Sequence, residues 1–179
     1  MLFGELDGFL VLMHPEAISE KKIQRVLTLS RINGWSIVSF AALCSLVVLL
    51  MGDFFGFFIG IAVSSSGLME LRGNRLLTNK DARASLWLVV SQIYLIAVLW
   101  VYAAYQLLRF DSEDPWAMFS PEFKDRILSI NPDAYLVEVM IRITYPVTYF
   151  ALILVVLIYQ GGLCLYYISR KKYLYAEQD

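Results

Sequence analysis

The chain has 179 residues, of which 59% are hydrophobic and 17% are charged, and its net charge at pH 7 is −1. A soluble domain has about 45–50% apolar and about 25% charged residues, so this composition argues against a soluble globular protein. It also argues against a disordered tail, and the lack of a basic excess argues against a nucleic-acid-binding protein. The mean hydropathy of +0.61 indicates an integral membrane protein.

Four long stretches of the sequence contain no charged residue. They cover 32–52, 54–69, 84–108 and 143–169, with 21, 16, 25 and 27 residues. A membrane-spanning helix needs about 20 apolar residues, so the first, third and fourth stretches predict spans. The second reaches a sufficient length if it extends through Glu70 and Leu71 while Arg72 snorkels to the interface. Its alternative is a re-entrant segment.

The distribution of positive charge favours four spans. If the second stretch crosses the membrane, eleven lysines and arginines share one side, as the positive-inside rule expects for a cytoplasmic side. The sequence thus predicts a single membrane domain in the plasma (inner) membrane, with both termini cytoplasmic. Its parts are a cytoplasmic or interfacial segment 1–31, spans 32–52, 54–71, 84–108 and 143–169, an external segment 109–142, and a tail 170–179.

Three further helices are predicted outside the spans. Residues 15–31 form a basic amphipathic helix, which either lies on anionic lipid or continues the first span into the cytosol. In the external segment, side-chain cappers before prolines predict short helices over 121–129 and 132–144, the second bending at Pro146 into the last span. The expected fold class is therefore an all-α membrane protein with four transmembrane helices and short amphipathic helices in the external loop between spans 3 and 4.

Small residues recur every four positions around the second span. Gly52, Gly56, Gly60 and Ser64 fall on one face of a helix, and such a strip predicts a close helix neighbour in a membrane. That neighbour is either the preceding span of the same chain or another copy of the protein.

Candidate pore-lining residues follow on the same helix, namely Ser64, Ser65, Ser66 and Glu70. Their alternative role is local, because a serine in a membrane helix often bonds to its own backbone. An acidic external segment would favour cations at a pore mouth. Its residues are Asp53, Asp111, Glu113 and Asp114.

No catalytic, cofactor-binding or metal-binding residues are predicted. Cys44 and Cys164 lie within apolar stretches and form no ligand spacing, and the single histidine, His14, stands apart from any carboxylate cluster. We therefore expect no enzyme activity and no cofactor.

The leading functional hypothesis is a homo-oligomeric membrane protein that forms an ion- or solute-conducting pore, with the second span nearest the symmetry axis. The alternative is a non-catalytic accessory or scaffold subunit that binds a partner protein. The expected partners are the lipid bilayer, further copies of the chain and a protein partner, but not nucleic acid.

Overall fold

The structure, a computed structural model, describes residues 15–110, 119–130 and 133–175. Every regular element among these residues is a helix. In chain order the helices are α1 (Pro15–Leu50), α2 (Phe54–Thr78), α3 (Ala84–Phe110), α4 (Pro121–Ile130) and α5 (Ala134–Tyr175).

Four of these helices, α1, α2, α3 and α5, are long and apolar enough to cross a membrane. Many of their large apolar side chains point outward, and Phe40, Phe58 and Ile158 are each at least 65% exposed. Extensive exposed apolar surface marks a membrane or protein contact rather than a surface facing water. The prediction of an all-helical chain with four apolar helices of spanning length is therefore confirmed.

A three-residue turn joins α1 to α2. Gly52 adopts a φ of 81°, a left-handed conformation that glycine enters without a Cβ penalty. Asp53 then caps α2, because its Oδ1 accepts a 3.0 Å hydrogen bond from the backbone N–H of Gly56. Its place in the four-residue pattern of small residues predicts that Gly52 lies on a face of the second helix. In the structure Gly52 belongs to the turn instead.

The second apolar helix is longer than the charge-free stretch that predicted it. It continues past Glu70 to Thr78, and Asn79 closes it with a backbone N–H that reaches the carbonyl groups of Arg75 and Leu76. Lys80 then takes a φ of 56°, and α3 begins at Ala84.

The helix α1 runs without interruption from Pro15 to Leu50, so the basic N-terminal helix continues into the first apolar segment. One short helix, α4, follows the part of the external segment at 111–118 that lies outside the described residues. The second short helix predicted there, over 132–144, is not a separate element. The structure joins it to the last apolar segment as the 42-residue α5, which passes through Pro146.

The chain divides into two compact units. The first contains α1, α2, the start of α3 up to Leu95 and the end of α5 from Gly161. A hydrophobic core cluster lies within it and includes Val26, Leu77, Leu88 and Tyr167. The second unit covers Ile96–Gln160, where Ala103, Val137 and Val156 are buried.

Candidate functional site

A fully buried glutamate marks the point where the four long helices of the first unit come together. Glu70 of α2 has 0% of its surface exposed. Ionisable residues inside apolar helices of spanning length are rare, usually face other protein groups, and commonly mark a functional site. Glu70 is therefore the centre of the candidate site.

Uncharged side chains from the three other long helices surround this carboxyl group. Asn33 of α1 donates from Nδ2 to Oε2 over 2.7 Å, and Tyr167 of α5 donates from its hydroxyl to Oε1 over 2.6 Å. The side chain of Gln92 of α3 lies next to the same carboxyl group. We call Asn33, Glu70, Gln92 and Tyr167 the Glu70 cluster.

The Glu70 cluster has no cation among the residues that the structure describes. No lysine or arginine there lies within 4.0 Å of the carboxyl oxygens of Glu70. A buried carboxyl group without a hydrogen-bond donor is costly, so the amide and phenol donors are what makes this burial tolerable. These hydrogen bonds tie the carboxyl group to α1 and to α5.

The members of the Glu70 cluster are almost fully buried. Asn33 is 6% exposed, and Gln92 and Tyr167 are each 1% exposed. Gln92 Nε2 also donates to Ser91 Oγ over 3.2 Å, whereas Gln92 Oε1 has no hydrogen-bond partner within the described part of the chain. The arrangement suits a tie between helices better than a site of turnover.

Two glycines allow α1 to approach α2 closely enough for Asn33 to reach Glu70. A Cβ on Gly67 would lie 2.8 Å from the carbonyl oxygen of Gly34 and 3.1 Å from the backbone nitrogen of Val38. A Cβ on Gly34 would likewise lie 3.2 Å from the carbonyl oxygen of Gly67. The backbones are therefore in direct contact one residue after Asn33 and three residues before Glu70.

Polar contact between α1 and α2 continues one turn after Glu70. Asn74 donates from Nδ2 to the carbonyl oxygen of Leu27 over 2.6 Å and to Ser30 Oγ over 2.7 Å. Ser66, Glu70 and Asn74 are spaced four residues apart, so one face of α2 carries a continuous row of inward polar groups.

The predicted small-residue strip lies partly against α1 of the same chain. A Cβ on Gly56 would approach Val48 Cγ1 to 2.5 Å, and one on Gly60 would overlap the side chain of Ser45. These two glycines thus contact the preceding helix, and Gly52 has no atom within 4 Å of such a Cβ. Ser64 is half-buried and lines a groove on the surface of the α1–α2 pair.

The candidate pore-lining residues occupy different environments. Ser66 is 1% exposed and donates to the carbonyl oxygen of Val63 over 2.8 Å. Ser65 donates to the carbonyl oxygen of Ala62 and lies 3.3 Å from the hydroxyl of Tyr94 on α3. Ser64 and Ser65 both border the surface groove, which has a volume of about 340 Å³. Glu70 is internal, as described above.

One of the four external acidic residues lies in the described part of the chain. Asp53 is exposed at the start of α2 and serves as its N-cap. Asp111, Glu113 and Asp114 lie outside the described residues, so the structure gives no arrangement for them.

An aromatic cluster lies in the second unit. Tyr102 of α3 meets Tyr149 of α5 edge-on, with ring centroids 6.0 Å apart. Gln106 donates from Nε2 to the Tyr102 hydroxyl and accepts from the Tyr145 hydroxyl. These contacts join α3 and α5 within this unit.

The partners of Glu70 give little local signal in the sequence. Asn33 and Tyr167 are 37 and 97 residues away from it, and nothing in either segment indicates a shared site. The one available signal is that Asn33, Glu70 and Gln92 are polar residues within or beside apolar stretches, where an unpaired polar group is costly.

The described residues contain no group of three or more His, Cys, Asp or Glu side chains placed to hold a metal ion. Cys44 and Cys164 are free thiols, and His14 lies outside the described part of the chain.

Comparison of the chain with protein-family models, with curated proteins and with solved structures found no match in any of the three.

Proposed function

We propose that the chain is a four-span integral membrane protein of the plasma (inner) membrane that acts as a non-catalytic accessory or scaffold subunit. In this proposal α1, α2, α3 and α5 cross the membrane, both termini are cytoplasmic, and α4 belongs to the external loop. The observation that carries the functional part is that Ser66 and Glu70, the polar groups deepest in the second span, are bonded within the chain.

The contacts of the first unit support the orientation. Hydrogen bonds between Ser30 and Asn74 and between Glu70 and Tyr167 bring the N-terminal half of α1, the C-terminal half of α2 and the end of α5 to one end of the unit. The positive charges of all three segments therefore lie at that end, as expected for a cytoplasmic side. These charges are Lys21, Lys22, Arg25, Arg31, Arg72, Arg75, Lys80, Arg83, Arg170, Lys171 and Lys172.

The same contacts weaken the reason for placing α2 on a symmetry axis. Gly56, Gly60 and Gly67 pack against α1, and the Glu70 carboxyl group is enclosed by α1, α3 and α5. What remains for other molecules is the apolar outer surface and the exposed basic residues around the connection from α2 to α3. These features suit a protein that binds a partner more than one that conducts a solute.

A homo-oligomeric pore is the second candidate function. It is favoured by the open groove that Ser45, Ser64 and Ser65 border on the outside of the α1–α2 pair. Copies arranged around an axis would place these hydroxyl groups at a subunit contact or in a wet passage.

The two candidate functions predict different masses for the purified protein in detergent and different cation fluxes through liposomes. We expect the purified full-length chain to be monomeric by detergent-corrected light scattering, and to conduct no more monovalent cation than protein-free liposomes. A defined ring-sized oligomer that carries a flux, lost in the variant Ser64→Leu, would overturn the accessory role in favour of the pore. A ring-sized oligomer without flux would also contradict the expectation of a monomer.

A further inference from the structure

We propose that a groove between α1 and α2 binds one anionic phospholipid. Trp35 of α1 borders the groove, and one face of α2 supplies the rest of its wall, through Leu68, Leu71, Arg72, Arg75, Leu76 and Asn79. Its volume is about 550 Å³. We call it the Arg72 groove.

The Arg72 groove changes from apolar to basic along the helix axis. Leu68 and Leu71 come first along α2, Arg72 and Arg75 follow, and Asn79 closes the helix. At about 1.5 Å per residue, Leu68 and Asn79 are separated by about 16 Å along the axis. An acyl chain therefore fits at the Leu68 end and a phosphate headgroup at the Asn79 end, the polarity that a lipid has in a membrane.

The positive charge of the Arg72 groove is not neutralised by the described residues. Neither Arg72 nor Arg75 forms an ion pair with an aspartate or glutamate there. The guanidinium carbon of Arg72 lies 4.4 Å from the centre of the Trp87 ring. A guanidinium held over an aromatic ring keeps its in-plane N–H groups free to donate, and arginine forks match phosphate oxygens well. Two such charges favour an anionic headgroup over a zwitterionic one.

Exposure of the apolar half indicates that the occupant comes from the bilayer. Trp35 is 56% exposed and Leu68 is 57% exposed. Tryptophan is enriched at the level of lipid headgroups, and basic pockets between membrane helices on the cytoplasmic side are known to take anionic headgroups. A free phosphate would use the two arginines but leave the apolar wall without a contact, so the groove fits a whole phospholipid.

The test uses the purified full-length chain in a neutral detergent. Native mass spectrometry would count bound phosphatidylglycerol and, in parallel, phosphatidylcholine. The groove variant is Arg72→Gln/Arg75→Gln, and the control Arg25→Gln/Arg83→Gln removes two exposed arginines that do not border the groove. Both pairs change the net charge equally, so a general electrostatic effect would appear in both.

We expect the chain to bind one phosphatidylglycerol more tightly than phosphatidylcholine. The groove variant should bind this one phosphatidylglycerol molecule about tenfold or more weakly than the wild type, because each basic residue near a headgroup contributes to the affinity. The affinity of the control variant should stay within about twofold of the wild-type affinity. Equal weakening in both pairs would overturn the site. So would equal binding of the two lipids, the result expected if an acidic protein segment were the natural occupant.

A second variant keeps the test decisive if the arginine variant does not fold. Leu68→Trp narrows the apolar half and leaves both arginines in place, and Leu68 is exposed enough to accept the larger side chain. Leu68→Trp should also weaken the binding of phosphatidylglycerol. Excess glycerol phosphate should not displace the lipid from the wild-type protein. Unchanged lipid binding in Leu68→Trp, or displacement by glycerol phosphate, would overturn the lipid assignment. This inference rests on the membrane insertion in the proposed function and not on the accessory role. A flux through the protein would therefore contradict the accessory role but not the lipid site.

Discussion

The hydroxyl group of Tyr167 donates a 2.6 Å hydrogen bond to Glu70, a residue 97 positions earlier in the chain. Both side chains are almost fully buried, at 1% and 0% exposure. Because Asn33 donates to the other oxygen of Glu70, one carboxyl group joins the end of α5 and the middle of α1 to α2.

Loss of the Tyr167 hydroxyl should destabilise the protein. Tyr167→Phe keeps the ring but leaves Glu70 Oε1 without this donor, so we expect the free energy of unfolding to fall by about 1–2 kcal/mol. Equilibrium unfolding in mixed micelles, followed by circular dichroism, measures the change. Tyr166→Phe is the matched control, because Tyr166 contacts Arg170 through its ring and not through its hydroxyl group. An equal fall in the free energy of unfolding in the two variants would contradict the stabilising role of the hydrogen bond from Tyr167 to Glu70.

Glu70 itself should tolerate an amide much better than a methyl group. Glu70→Ala removes the acceptor of the hydrogen bonds from Asn33 and Tyr167 and opens a cavity, so the free energy of unfolding should fall by at least about 2 kcal/mol. Glu70→Gln keeps one acceptor for Asn33, and its amide can donate to the Tyr167 oxygen. Its free energy of unfolding should therefore fall by less than half as much as that of Glu70→Ala. Glu122→Ala, at the exposed start of α4, is the control and should change stability little.

If Glu70→Gln were as damaging as Glu70→Ala, shape and hydrogen bonding would not explain the role of Glu70. The ionised carboxylate itself would then be required, and a function that depends on charge at this position would gain support.

The close approach of α1 to α2 should depend on Gly67. Gly67→Ala places a methyl group against the Gly34 carbonyl and the Val38 backbone, which cannot move as a flexible side chain does. We expect a loss of about 1–3 kcal/mol from overpacking. Gly162→Ala on α5 has open space around its added methyl group and should be neutral or slightly stabilising, because alanine favours helix. Thermal unfolding of the two variants side by side distinguishes crowding from helix propensity, and a harmless Gly67→Ala would contradict the contact.

The proposed orientation can be measured with single cysteines in a variant whose Cys44 and Cys164 are replaced by serine. Met51→Cys lies in the α1–α2 turn, where the residue is 80% exposed, and should react with an impermeant thiol reagent in intact cells. Ala82→Cys, exposed in the α2–α3 connection, should react only after the membrane is permeabilised. The reverse pattern would invert the topology, and labelling of both sites from outside would show that α2 does not cross.

Charge patterning was sufficient to predict the helical architecture. A stretch free of charge over 20 residues has few structural options in lipid, and its ends are marked by residues such as Arg31, Asp53 and Arg109. The continuation of α2 through Glu70 to Thr78 was only partly predicted, because a charged residue normally ends an apolar stretch unless its charge is buried against partners.

The Glu70 cluster could not be predicted, because its partners are brought together by tertiary packing. Periodicity places Ser66, Glu70 and Asn74 on one face of α2, but it does not say which helix covers that face. The same limit applies to the glycine pattern. The spacing of Gly56 and Gly60 indicates a close neighbour, whereas the contact of Gly34 with Gly67 joins two helices whose register depends on the turn at Gly52.

A double-mutant cycle between Glu70 and Tyr167 tests most directly whether the buried polar groups hold the helices of this chain together. The free energies of unfolding of the wild type, Glu70→Ala, Tyr167→Phe and the double variant would be measured in the same micelles. We expect a coupling energy of about 1 kcal/mol or more, at the upper end of values for hydrogen bonds between membrane helices. Effects that add to within about 0.3 kcal/mol would contradict the hydrogen bond and, with it, the role of Glu70 as the tie between α2 and α5.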